Sequence, residues 1–211
     1  MDLLIKNAIV YPMVGEDSQK EAIGIADGRI SQVGSTEKLI KCSTKETNVI
    51  DAGGRTAIPG FIDSHTHFLE FGVKKSRYLD LSHAGTKIEL LERVEEYSEG
   101  KSGRDWVLGA GWDDSDWEGT QSFPTKRELD EIVPDRPVAL QRIDCHTYCV
   151  NSEAFKLLDI NPSTRGAETN SGEFTGCLSE DAALEVGEEI APSRNEMVQG
   201  LKEAQKEAHC M

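Results

Sequence analysis

The sequence predicts an α/β protein, with a small β-rich region in front of a longer stretch where apolar strands alternate with capped helices. Three observations predict it. The first is the hairpin signal Asp27-Gly28 between the short apolar segments Ala22 to Ala26 and Arg29 to Val33, a dipeptide that supplies the positive φ a tight turn requires. The second is a set of apolar runs at Ala57 to Thr66, Trp106 to Trp112 and Pro137 to Ile143. The third is the repeated helix-start pattern of Thr86 to Glu89, Pro124 to Glu128 and Ser193 to Glu196.

Taken in order, Leu3 to Val10 reads as aliphatic β structure, Gly34-Ser35-Thr36-Glu37 opens a short helical piece, and Asn48 to Asp51 returns as a strand. Pro59-Gly60 then punctuates the run Phe61-Ile62-Asp63-Ser64-His65-Thr66-His67. In an extended chain Asp63, His65 and His67 share one face, and the two imidazoles lie roughly 6.6 Å apart along the strand. Such a pair can lean onto one divalent ion, although His-x-His alone is also a common surface pattern.

A loop follows, then a helix from Thr86 with Ile88, Leu91 and Val94 as its apolar stripe. Trp106 to Trp112 is the next strand. The acidic, aromatic loop Asp113 to Glu118 lacks the ordered ligand spacing of a calcium loop, which leaves a substrate-shaping loop, with Trp112 at its edge, or a solvated turn. Thr125 caps a short helix through Ile132, and Pro137 to Ile143 is a strand ending in Asp144 and His146, again two apart. That pair either lines a pocket, with Asp144 orienting His146, or is a hydrogen-bonded loop. Asn151 caps a helix through Leu158, and residues 161 to 176 read as an exposed loop with a short strand at Glu173 to Thr175. Glu180 faces a pocket or sits on a helix surface. The final helix, from Ser193 to Cys210, carries Met197, Leu201, Ala204 and Ala208 on one side.

Composition narrows the function classes. Thirty-eight acidic against 23 basic residues give a net charge of −15, which disfavours general binding to nucleic acid or anionic membrane. No apolar run is long enough to span a bilayer, and Met1 to Lys6 lack a secretory pattern, so a cytoplasmic location is expected. Five scattered cysteines do not form a disulfide framework. Cys145, His146 and Cys149 can be read as soft ligands of a small structural zinc module, or as ordinary thiols beside a histidine.

Val49-Ile50-Asp51-Ala52-Gly53-Gly54 followed by Pro59 to His67 resembles the opening of the amidohydrolase superfamily of metal-dependent hydrolases. Gly109 to Trp112, Arg142 to His146, Val150 to Ala154 and Gly176 to Glu180 extend the resemblance, toward the amidohydrolase-3 branch with its N-substituted formamide deformylase-like enzymes.

The resemblance implies the amino-terminal part of a β-sandwich over residues 1–57. Over residues 58–211 it implies the first three to four units of a TIM-like (β/α)8 barrel, with Pro59 to His67 as barrel strand one. It implies His65 and His67 as the first two ligands of one or two divalent ions, most simply zinc, and Asp63, Trp112, Asp144, His146 and Glu180 as pocket residues. The reaction implied is hydrolysis of amide or cyclic amide C–N bonds in small molecules by metal-activated water. A complete barrel needs ~250 residues. The expectation is therefore a portion of an enzyme, inactive alone, that forms a homo-oligomer or joins a carboxyl-terminal half; the competing expectation is a non-catalytic assembly subunit.

Overall fold

The computed structural model describes residues 1–14, 19–100, 105–115, 117 and 122–210, and they divide into two compact units, Met1–Thr66 and His67–Met211. The fold is mixed α/β, as predicted.

The first unit holds β1 (Leu3–Lys6), β2 (Ile9–Val10), β3 (Ala22–Ala26), β4 (Arg29–Gly34), α1 (Thr36–Ile40), β5 (Asn48–Asp51) and β6 (Thr56–Ala57). Four strands form a sheet in the order β4-β3-β1-β5, and β2 pairs with β6 beside it. Asp27 and Gly28 both take positive φ, 51° and 69°, so the β3–β4 turn has the backbone its dipeptide predicts. Leu4, Ala22 and Leu39 close a small core between the sheet and α1.

The second unit comprises α2 (Phe68–Arg77), β7 (Leu79–Asp80), α3 (Lys87–Glu99), β8 (Val107–Trp112), α4 (Lys126–Ile132), β9 (Val138–Arg142), β10 (Thr147–Val150), α5 (Ser152–Phe155), β11 (Ala167–Asn170), β12 (Glu173–Ser179), α6 (Glu180–Glu189) and α7 (Arg194–Cys210). Its sheet runs β11-β12-β10-β9-β8-β7. β7, β8 and β9 are mutually parallel, and the pairings from β9 outward to β11 are antiparallel. Apolar residues lie on both faces of the central strands. One cluster joins Leu81, Leu90, Val94, Leu129 and Leu140; the other joins Leu108, Ala139, Tyr148, Leu178 and Val186.

Several expectations are corrected. Residues 58–67 form no strand, because no neighbouring strand among the described residues takes their backbone groups; Phe61 and Ile62 are 91% and 96% exposed. The loop expected after His67 is instead the helix α2. Of the expected stripe on α3, Val94 is buried and Leu91 packs partly buried against the core, but Ile88 is exposed and Leu90 is buried in addition. Glu89 accepts from the Gly85 N–H, so Thr86 caps its helix without the reciprocal bond, whereas Thr125 and Glu128 make the full box. α7 buries Gly200 and Ala204 and leaves Leu201 and Ala208 exposed. It crosses α2 so closely that a Cβ on Gly72 would stand 1.8 Å from the Gly200 carbonyl oxygen, and only glycine fits that crossing. The expected loop 161–176 is largely a hairpin, turned by Ser171 and Gly172 at φ 52° and 86°. The helix after Asn151 stops at Phe155.

Asn151 does more than cap. Fully buried, its Oδ1 accepts from the N–H groups of Val138 and Ala154, both at 3.0 Å, while its Nδ2 donates to the carbonyls of Val133 at 3.0 Å and Arg136 at 2.9 Å. One side chain thus ties the end of α4, the start of β9 and the start of α5. Asn151→Ala removes the partner of four backbone groups, three of them in buried contacts, and is expected to cost about 3 kcal/mol of stability, read as a lower urea midpoint. Asn151→Asp should be destabilised too, because a carboxylate would face two carbonyl oxygens.

Candidate functional site

Parallel pairing brings the carboxyl ends of β7, β8 and β9 to one side, and a cavity of about 500 Å³ opens there. Its walls include Phe71, Lys74 and Tyr78 from α2, Asp80 from β7, Ala110 and Gly111 from β8, and Arg142, Ile143 and Cys145 at and beyond the end of β9. This is the end at which barrel and open-sheet α/β proteins place their ligands.

Arg142 is the electrostatic centre of this edge. Its Nε donates to Asp114 at 2.9 Å, its Nη2 to Asp113 at 3.1 Å and its Nη1 to Asp144 at 3.0 Å. The acidic loop after β8 is thereby clamped to the turn after β9. Asp144 in turn accepts from the backbone N–H groups of His146 at 2.8 Å and Thr147 at 3.0 Å. It holds the main chain of His146, not its ring. Burial pushes the Asp144 carboxyl up, but the His146 N–H, the Arg142 guanidinium and Thr147 outweigh it and keep it below the usual carboxylate range.

A second set of contacts starts from α2. His67 is its N-cap residue; His67 Nδ1 lies 3.1 Å from Glu70 Oε2, and Glu70 Oε1 pairs with Lys74 Nζ at 2.8 Å. Lys74 Nζ also donates to Cys145 Sγ at 3.3 Å. The Lys74 ammonium holds Glu70 ionised below its ordinary range, against burial and with help from His67. Burial acts to lower Lys74, yet Glu70 and the Cys145 thiol raise it overall.

The structure distributes the residues singled out from the sequence. Asp63 and His65 lie on the exposed segment of the first unit, where the His65 N–H donates to Asp63 Oδ1 at 3.0 Å, and the face-sharing that extended geometry would impose is absent. Trp112 is fully buried; its ring centroid is 5.7 Å from Trp117 and 5.3 Å from Phe123, and its Nε1 donates to the Leu140 carbonyl. The Arg142 guanidinium stands 6.0 Å from that ring, so Trp112 supports the strand-end clamp from below. Of its loop, Asp116 and Glu118 lie outside the described residues.

His146 and Glu180 share a second cavity, of about 590 Å³, with Cys145 and Tyr148. Glu180 begins α6 and pairs with Arg165 at 2.8 Å. Cys149 points into the core from β10, and burial pushes its thiol well up; Cys177 opposite is pushed up to about 11 by burial and by Glu168. Among the described residues no group of three or more His, Cys, Asp or Glu side chains is arranged to hold a metal ion. The donors present therefore do not complete a metal centre, either around His65 and His67 or around Cys145, His146 and Cys149.

Sequence reasoning missed Arg142, Lys74 and Glu70 as site residues. Arg142 had a readable signal, a cation closing an apolar strand just before Asp144. The Lys74 contact spans 71 positions and had none.

The structure is similar to that of an uncharacterised metal-dependent hydrolase from Pyrococcus furiosus, with a TM-score of 0.69 and 26% identity over 99% of this chain and 42% of the other. The mixed α/β fold is thus similar to part of that hydrolase. The sequence is 35% identical to YtcJ of Bacillus subtilis and 34% identical to the N-substituted formamide deformylase of Arthrobacter pascens, each over 86% of this chain and 35% of the relative. The amidohydrolase family model matches residues 48–209, and the chain belongs to that family, in the amidohydrolase-3 branch that its motifs resemble. It spans about a third of the length of these two curated relatives.

The clamp has a pH signature. The folded-state carboxyl of Asp144 ionises below the unfolded value of about 3.9, so its contribution is complete above that pH and is lost as pH falls through the folded value. Asp144→Asn should lower the urea midpoint at pH 7 and flatten its decline below pH ~4, as measured by denaturation series across pH.

Proposed function

We propose that this chain supplies the amino-terminal part of a metal-dependent hydrolase that cleaves amide or cyclic amide C–N bonds in small molecules. The observation that carries the reading is the family match across residues 48–209, joined to a cavity at the carboxyl ends of three parallel strands. In this reading residues 58–211 begin a (β/α)8 barrel and residues 1–57 begin a β-sandwich. His65 and His67 are the first two ligands of a divalent metal, zinc by the chemistry of imidazole, at one or two ions. Asp63, Asp144, His146 and Glu180 belong to the pocket rim, and Trp112 supports it. The substrate is a small molecule; nucleic acid and membrane are not partners, and the location is cytoplasmic. No helix among the described residues is long and apolar enough to cross a membrane.

The chain alone is expected to be inactive, since two histidines do not complete a donor set and no group of three donors is arranged among the described residues. Exposed Phe61 and Ile62, and the incomplete donor set, favour a second reading in which the chain is a non-catalytic subunit that associates with another copy or with a complementary carboxyl-terminal half. The small zinc module is the weakest reading, because Cys149 lies in the core.

Metal analysis separates these. The purified chain should carry well under one zinc per chain and lose what it carries in His65→Ala and His67→Ala. Zinc content and hydrolysis of a small amide should rise together when the portion of YtcJ beyond the matched region is co-expressed. Stoichiometric zinc that survives both substitutions would overturn the assignment of His65 and His67.

A further inference from the structure

We infer that Cys149 and Cys177 form a cross-strand dithiol site that closes to a disulfide when a low-molecular-weight disulfide accepts its electrons. The inference goes beyond the hydrolase reading and does not depend on it, because it stands on the register of two paired strands.

β10 and β12 run antiparallel with Cys149 directly opposite Cys177. Residues so placed project to the same face of the sheet. Burial agrees: Cys149 lies in the cluster with Val138 and Leu140, whereas its neighbours Tyr148 and Val150, and Leu178 beside Cys177, lie in the cluster on the other face.

The hydrogen bonds decide which kind of pair this is. The Ser179 N–H donates away from β10, to the Gly166 carbonyl at 2.9 Å on the β11 side. Along a strand the main-chain groups of alternate residues point the same way, so Cys177 also faces away from β10. Its N–H donates to Thr175 Oγ1 at 3.2 Å. Cys149 and Cys177 are therefore a non-hydrogen-bonded pair, the kind in which Cα atoms stand about 4.5 Å apart and side chains come closest. A disulfide takes Cα separations of roughly 4.4–6.8 Å, so the register admits the bond without parting the strands.

The two thiols differ in access, which orders the chemistry. Cys149 is fully buried and Cys177 is partly exposed. The Cys177 thiolate attacks one sulfur of the small disulfide, forming a mixed disulfide and releasing the first small thiolate. The Cys149 thiolate, which no reagent has to reach, then attacks the Cys177 sulfur and expels the second. One S–S bond forms in the protein and one breaks in the reagent; two electrons pass to the reagent, and both thiol protons end on its released thiolates. Burial and Glu168 push the Cys177 thiol up to about 11, so little thiolate is present at neutral pH and the pair reacts slowly there. The bond ties the strand that follows His146 to the strand that leads into Glu180, the two residues that share the second cavity.

The test incubates the full, reduced chain with excess oxidised glutathione at mildly alkaline pH, blocks remaining thiols with N-ethylmaleimide under denaturing conditions, and digests without reduction. Intact mass should show the loss of two hydrogens, with two fewer thiols alkylated and the peptides carrying Cys149 and Cys177 linked. Dithiothreitol should restore both thiols. Cys177→Ser should abolish the product. Cys149→Ala, which keeps a small apolar side chain in the core, should stop at glutathione held on Cys177; that arrest separates a missing second thiol from a misfolded chain. An unsubstituted chain that yields no linked peptide, retains glutathione on Cys177, or joins either cysteine to a different one would overturn the inference.

Discussion

A strand persists where a neighbour accepts its backbone groups, and that constraint governs where this chain has a site and where it does not. β8 is paired on both sides, to β7 and to β9, and its residues Val107 to Ala110 and Trp112 are buried. Residues 58–62 have a comparably apolar composition, yet no strand among the described residues lies beside them, and Phe61 and Ile62 stand in solvent. An unpaired N–H or C=O removed from water costs on the order of 1–3 kcal/mol. An apolar run without partners therefore gains more by keeping its backbone hydrated than by burying its side chains unpaired.

The same pairing builds the strand-end edge. Because β7, β8 and β9 are parallel, Asp80, the acidic loop after Trp112 and Arg142 all arrive at one end without being near in sequence. Arg142 then makes the edge a single object, since its planar guanidinium reaches three carboxylates from two loops in a fixed geometry that a lysine could not reproduce. α2 is joined to that object by Lys74, and α7 is locked to α2 through Gly72 and Gly200. The cavity is therefore bounded on one side by strand ends and on the other by a helix whose position is fixed by its own partner.

What was legible in the sequence is what local chemistry decides. The Asp27-Gly28 hairpin needs only two residues with positive φ, the helix starts at Thr125 and Ser193 need a hydroxyl and a glutamate three residues apart, and β8 and β9 announce themselves as short apolar runs between turn signals. What was not legible depends on distant partners. The face that α7 buries follows from a helix crossing more than a hundred residues away in sequence, and Trp112 is drawn into the core by Trp117 and Phe123 rather than left at a loop edge. α2 was missed because no side-chain cap announces its start at His67, although Phe68, Leu69, Phe71 and Val73 give it apolar positions.

The proposed metal ligands fall on the far side of this divide. That His65 and His67 follow an apolar run is a property of the sequence; family membership is carried by the match across residues 48–209. Whether two imidazoles meet on one ion is a property of strand pairing, because side chains alternate strictly only when the backbone is held extended by neighbours. Asp63 shows the alternative directly: instead of sharing a face with His65, its carboxylate accepts the His65 N–H and bends the chain locally. The sequence as a whole thus identifies the family, while the chemistry proposed for the pair depends on a backbone held extended by neighbouring strands.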